Sequence, residues 1–157
     1  MIIIGYQGIG KSSVASPENK CIDLESSNFW HEGKRPDDWY IYYCNIAVDL
    51  SKQGYVVFTS SHKEVRDYLL KFTKETTILC MFPEVMLEDA WIQRLQKRYD
   101  ADPSEKNYKA LMNAKDRFAE NVEEMRQCGH RYWPIYSMDY DLLDDVKCIL
   151  EFIKRWR

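Results

Sequence analysis

Eight residues near the amino terminus, Gly5-Tyr6-Gln7-Gly8-Ile9-Gly10-Lys11-Ser12, fit the pattern G-x-x-x-x-G-K-[ST] at every fixed position. The chemistry this spacing supports is the grip of a polyphosphate. Glycines allow backbone dihedrals that turn successive amide N–H groups into one concavity, and a helix beginning behind them adds its positive end. Lys11 would reach the β- and γ-phosphates, and the Ser12 hydroxyl would ligate Mg²⁺. The expected cradle is Gly8, Ile9, Gly10, Lys11, Ser12 and Ser13. With glycine at about 7% usage, the fixed positions coincide by chance in roughly 1 of 200 chains this long. An apolar strand running straight into the motif lowers that chance further.

Other residues bear chemistry around it. The segment Cys21-Ile22-Asp23-Leu24-Glu25 reads as a strand and its carboxyl end, where ligands bind in a parallel sheet. Asp23 and Glu25 are two apart, so an extended backbone aims both carboxylates at one face. One could hold a water on Mg²⁺ while the other accepts the proton of an attacking hydroxyl. Downstream, Phe29 and Trp30 lie close to Arg35, an arrangement that could stack a base and hold a monophosphate. Residues 94–117 carry seven basic side chains against four acidic ones, within a chain of net charge −3. Arg94 and Arg98 are four apart and share a helix face. His31 reads as a loop histidine. His62 has no companion Cys or His at metal-ligand spacing, and Ser60, Ser61 and His62 have no acid placed to complete a triad.

The elements that must position these groups alternate short apolar runs with amphipathic ones, the pattern of β-α-β units in a mostly parallel sheet. Strands are expected at 1–4, 21–24, 55–59, 78–82 and 133–136, each buried on both faces. A helix opened by Pro36 should run to about Gln53, burying Trp39, Tyr43, Ile46, Ala47 and Leu50, with Gly54 as its stop. Ser61 and Glu64 read as a capping box for the next helix, which carries Val65, Leu69 and Phe72 inward. Asp102-Pro103-Ser104-Glu105 reads as a second such start, with proline at the first helical position. It opens a long helix carrying Tyr108, Leu111, Met112, Phe118, Val122 and Met125 and ending near Gly129. The last helix, from about Leu142, should bury Val146, Ile149, Leu150, Ile153 and Trp156. Lys154, Arg155 and Arg157 in its final turn suit the helix dipole.

With these residues in view, the chain resembles the small P-loop kinases, the nucleoside and nucleotide kinases with their shikimate and gluconate kinase relatives. Only the Gly5–Ser12 motif is specific in sequence; the rest of the likeness is layout. The resemblance implies a three-layer α/β P-loop NTPase fold over residues 1–157. Its five-stranded parallel sheet would run in the order 2-3-1-4-5, with helices on both faces and a small helical lid at about 94–117. It implies ATP and Mg²⁺ as ligands, Ser12 and Asp23 on the metal, and Lys11, Asp23, Glu25, Arg94 and Arg98 as catalytic residues. Glu25, Trp30 and Arg35 would meet the acceptor, and lid motion would use the 100–103 junction. Asp23 and Glu25 match the Asp-x-Asp of shikimate-type enzymes, with Glu in the second place. The chain departs from the family twice. Ser16-Pro17 cuts the first helix short, and the third strand ends Phe58-Thr59-Ser60 without the usual acidic residue.

Composition narrows the class. At 157 residues, 45% hydrophobic and 30% charged, the chain suits one soluble domain and excludes extended disorder. No apolar run approaches the ~18 residues of a membrane span, and residues 1–5 are too short for a signal peptide. Five scattered cysteines without a C-x-x-C pair suit reduced thiols in the cytoplasm. The expected activity is phosphoryl transfer from ATP to a small acceptor, a nucleotide or nucleoside first. The alternatives are a nucleotide-binding regulatory protein without transfer activity and a polynucleotide 5′-end kinase; net acidity disfavours a nucleic-acid partner. Nothing in the sequence speaks to oligomeric state.

Overall fold

A computed structural model describes every residue of 1–157 except His31, Gly33, Trp156 and Arg157. The expectations for His31, Trp156 and Arg157 therefore lie outside the described residues. Five strands, β1 (Ile2–Gly5), β2 (Cys21–Asp23), β3 (Val56–Thr59), β4 (Ile78–Pro83) and β5 (Arg131–Ile135), alternate with six helices. The helices are α1 (Lys11–Val14), α2 (Trp39–Lys52), α3 (Lys63–Leu69), α4 (Glu88–Ala101), α5 (Glu105–Gln127) and α6 (Leu142–Arg155).

All strand pairs are parallel, in the order β2-β3-β1-β4-β5. Every residue of β1, β3 and β4 is buried. Successive side chains on a strand face opposite ways, so helices cover both faces of the central sheet. The fold is α/β, and its topology is compatible with that of the P-loop NTPases. Ile2, Ile3 and Ile4 are fully enclosed. Burial of that kind is worth about 2 kcal/mol per side chain and anchors the loop that follows.

The edge strand departs from expectation. β5 starts at Arg131 and stops before Tyr136, and its first residues are exposed. It can hold Pro134 because an edge strand need not donate on both sides. β2 ends at Asp23, though the Leu24 amide still donates to the Phe58 carbonyl at 3.0 Å.

Several helix expectations are corrected too. Pro36 lies in a turn before α2, which begins at Trp39 and buries Tyr43, Cys44, Ala47 and Val48, while Ile46 is exposed. Gly54 does stop that helix, at φ +94°. α3 has no side-chain cap: its first turn is entered through His62, and the Ser61–Glu64 box does not form. The His62 ring is engaged elsewhere, as described below. The cap of α5 is Ser104, whose hydroxyl accepts from the Asn107 amide at 3.3 Å; Pro103 stands before the helix. Asp102 instead receives the Asn107 side chain on its carbonyl and carboxylate at 2.9 and 3.0 Å. Tyr108 is exposed and Met112 only partly buried, whereas Leu111, Phe118, Val122 and Met125 are in the core. The dihedrals of α5 leave the helical region at Arg117, so its outer and inner halves meet at a kink. In α6, Leu142, Val146 and Ile149 are buried, while Leu150 and Ile153 are only partly so. Among the described residues no helix is long and apolar enough to cross a membrane.

Replacement of Ser104 by alanine should cost about 1 kcal/mol by denaturant titration, the usual value of a lost helix cap. An unchanged midpoint would place the cap elsewhere.

Candidate functional site

The loop between β1 and α1 is held from outside by side chains that take its carbonyls. The Trp91 indole N–H donates to the Gln7 carbonyl at 2.9 Å, and the Tyr140 hydroxyl donates to the Ile9 carbonyl at 2.8 Å. Arg94 donates to the Gly8 carbonyl at 3.4 Å. Gln7 itself reaches across to the Ala110 carbonyl of α5 at 2.9 Å. The carbonyls of Gln7, Gly8 and Ile9 are thus drawn toward α4 and the β5–α6 loop, while the Ile9 amide turns back to the Tyr6 carbonyl at 3.4 Å.

Gly8 and Gly10 stand at φ +86° and +94°, a region closed to most L-residues. At Gly8 a Cβ would also meet Leu95 at 3.0 Å and Trp91 at 3.2 Å. α1 has only four residues, as Ser16-Pro17 foretold. Trp91 and Tyr140 were not singled out from sequence. Buried aromatics at helical or loop positions look like core until their polar atoms are seen to be spent on the loop.

A cavity of about 970 Å³ opens over this loop. The structure brings Gly8, Gly10, Lys11, Ser12, Ser13, Asp23, Glu25, Trp30, Arg35, Arg94 and Arg98 together on its walls. Ile9 is the exception among the residues expected there. Its side chain turns into the core, 1% exposed, and borders a second hollow behind the loop instead.

At the cavity floor Lys11 points its ammonium at the Gly5 carbonyl, 3.5 Å away. Burial pushes Lys11 below its ordinary value, and the charges of Asp23 and Glu25 only oppose this. Burial also raises Asp23, against the pull of Lys11. Glu25 goes the other way: burial would raise it, but the bond from Lys106, 2.7 Å long, brings it below the usual carboxylate range. Two neighbouring carboxylates are thus driven apart, Asp23 toward holding a proton and Glu25 toward charge.

Another part of the cavity lining is aromatic and basic. The Arg35 guanidinium lies 4.3 Å from the Trp39 ring centre and 5.4 Å from that of Trp30, and Lys109 sits 4.7 Å over Trp30. Arg35 donates to the Ser26 hydroxyl at 3.1 Å and to His62 Nε2 at 3.0 Å. Arginine can only donate, so Nε2 accepts and the His62 proton is on Nδ1, directed at the Ser60 hydroxyl 2.9 Å away. Burial and the adjacent Arg35 keep this ring neutral by lowering its pKa. Phe29 does not join Trp30 here. It packs edge-on against Tyr43 in the core, with centres 5.5 Å apart.

The two arginines of α4 part company. Arg94 is fixed by the Tyr140 hydroxyl at 2.7 Å, by the Met138 and Gly8 carbonyls at 3.4 Å, and by the Trp91 ring at 4.7 Å. Arg98 also lines the cavity, yet among the described residues no hydrogen bond or ion pair holds its guanidinium. Among the described residues no cluster of three acidic, histidine or cysteine side chains could cage a metal by itself. Comparison of the chain with protein-family models, with curated proteins and with solved structures finds no match.

Between the folded values of Asp23 and Lys11 both groups are charged and both bear the cost of burial. As pH rises from the lowered folded value of Lys11 toward 10.5, the Lys11 cost is relieved; as pH rises from 3.8 through the raised Asp23 value, the Asp23 cost sets in. Replacing the pair with neutral groups, Lys11→Met with Asp23→Asn, should raise the melting temperature of the ligand-free protein near pH 7 by about 3 °C. A melting temperature that falls would show that the pair is a net stabiliser.

Proposed function

We propose that this chain is a phosphotransferase that moves a phosphoryl group from Mg²⁺-bound ATP to a small acceptor, a nucleotide or nucleoside. The observation that carries the reading is a single cavity lined both by the Lys11 loop and by the aromatic, basic group of Arg35, Trp30 and His62. On this reading the first group takes the polyphosphate and the second the acceptor.

When bound with the triphosphate, Mg²⁺ would supply charge neutralisation to the transferring phosphoryl group. Ser12 and Asp23 are the residues that would hold it; a site with few protein ligands suits an ion that keeps several waters and shares its coordination with phosphates. The cradle amides and Lys11 bind and orient the polyphosphate. Arg98 is the unattached lid cation that would close on the γ-phosphoryl oxygens, while Arg94 acts on the loop through Gly8 and Tyr140. Glu25 orients the acceptor hydroxyl and takes its proton at Oε, once Lys106 releases it. Trp30 offers a ring face to the acceptor and Arg35 offers positive charge. Catalysis on this reading is positioning and charge stabilisation.

A second reading, a nucleotide-binding regulatory protein, draws on two observations: β3 ends in Thr59 without an acid, and Glu25 is already neutralised by Lys106. ADP release measured over a panel of nucleosides, nucleotides and small hydroxylated metabolites separates the two. Acceptor-stimulated turnover is expected, and ATP binding with no stimulation by any acceptor would favour the regulatory protein. Lys11→Ala should lower turnover by at least 100-fold, the size of effect expected when a main electrostatic donor to the transition state is lost. Full activity in that variant would refute the mechanism. Arg98→Ala should reduce kcat without lowering the melting temperature, whereas Arg94→Ala should lower both.

A further inference from the structure

Two cysteines that are 48 positions apart in sequence meet in the fold, away from the cavity. Cys80 lies in the middle of β4, fully buried, paired across the sheet with Ile4 on one side and Tyr132 on the other. Cys128 is the residue that ends α5, partly exposed, and is followed by Gly129 at φ +87°. Their sulfurs are 3.5 Å apart. Cys21 and Cys44 are buried singly and Cys148 is exposed on α6; all five are free thiols.

We propose that Cys80 and Cys128 form a reversible dithiol–disulfide site whose oxidant is a hydroperoxide. An S–S bond is about 2.05 Å long, so the sulfurs need to close by roughly 1.5 Å. Cys128 can supply that movement. It stands outside the last helical turn, before a glycine, and no strand fixes it.

The order of events follows from access and from the neighbours of each sulfur. Of the two residues, Cys128 is the partly exposed one and Cys80 is fully buried. The contact with Cys80 outweighs the opposing effect of burial and, with the His130 backbone amide and the charges of His130 and Arg66, places Cys128 below the ordinary thiol range, while as a thiol it donates to the Met125 carbonyl at 3.1 Å. The bond to Cys128 and burial raise Cys80, which keeps it a protonated thiol until its partner has reacted. The Cys128 thiolate attacks one peroxide oxygen, the O–O bond breaks, and the alkoxide or hydroxide leaves with a proton, giving a sulfenic acid on Cys128. Cys80 then attacks that sulfur, the S–O bond breaks, and water carries away the oxygen with the Cys80 proton. Two thiols and one hydroperoxide become one disulfide, one alcohol or water, and one water. The two electrons lost by the sulfurs reduce the O–O bond.

The crosslink joins the inner half of α5 to the strand beside β1. That half carries Asn121, Glu124 and Met125 on the cavity wall, and β4 holds the loop through the bond from the Tyr6 amide to the Met81 carbonyl, 2.9 Å long. Oxidation would therefore fasten one wall of the cavity to its floor. The proposal does not depend on what the cavity binds.

The test uses the full chain carrying Cys148→Ser, an exposed position, so that intermolecular disulfides do not interfere. Reduced protein is treated with a small excess of hydrogen peroxide, unfolded, capped with N-ethylmaleimide and weighed intact. Two of the four remaining thiols should be lost to capping, peptide mapping should join the peptides holding Cys80 and Cys128, and dithiothreitol should restore both thiols. In a Cys80→Ala background, peroxide should instead leave a sulfenic acid on Cys128 that dimedone traps. Capping of all four thiols after oxidation would overturn the proposal. So would sulfinic acid on Cys128 with Cys80 still reactive, or a disulfide joining any other pair.

Discussion

A half-buried ammonium group on the cavity wall, opposed by burial and supported by the charges of Asp23 and Glu25, governs the rest of this molecule. Lys11 sits on the cavity floor with a single long contact to the Gly5 carbonyl, and burial lowers its affinity for its own proton. Such a group is costly in the empty protein, and the fold supplies the restraint that keeps it there. Ile2, Ile3 and Ile4 fix the strand beneath it, and Trp91, Arg94 and Tyr140 hold the carbonyls of the loop outward. On the proposed reading, such a site exchanges stability for readiness to bind a polyanion.

The walls of the cavity show the opposite economy. Lys106 with Glu25 and Lys109 with Glu105 are ion pairs at 2.7 Å whose side chains stay largely in contact with solvent. Pairs of that kind are worth little and yield easily. Lys109 is thus paired within α5 and Lys106 with Glu25 beyond β2, and neither pair holds its lysine strongly. Arg94 is different in kind, since its guanidinium is shared among three oxygens and two rings. It belongs to the loop more than to the lid.

Much of this was readable from the chain because it depends on local chemistry. Gly8, Gly10 and Lys11 declared the loop, Ser16-Pro17 declared the short α1, and the runs of Ile, Val and Phe declared a buried parallel sheet. Gly54 marked the end of α2. What escaped depends on tertiary partners. Ser61 met the rule for a cap, but His62 rather than Ser61 adjoins the first turn, and its ring went to Arg35 and Ser60. Ile46 and Tyr108 have helical spacing yet face outward, since a stripe does not say how wide the covering surface is. The Arg117 kink and the meeting of Cys80 with Cys128 leave no local mark at all. The carbonyl-gripping roles of Trp91 and Tyr140 were hidden because aromatic residues at those places are ordinary core.

Titration calorimetry with magnesium and adenine or guanine nucleoside triphosphates tests the central claim most directly. The proposed polyphosphate site around Lys11 predicts saturable heat with one site per chain, lost in the Lys11→Ala protein. Absence of heat and of saturation with either nucleotide would contradict it, and the reading of the cavity as a polyphosphate site would fall with it.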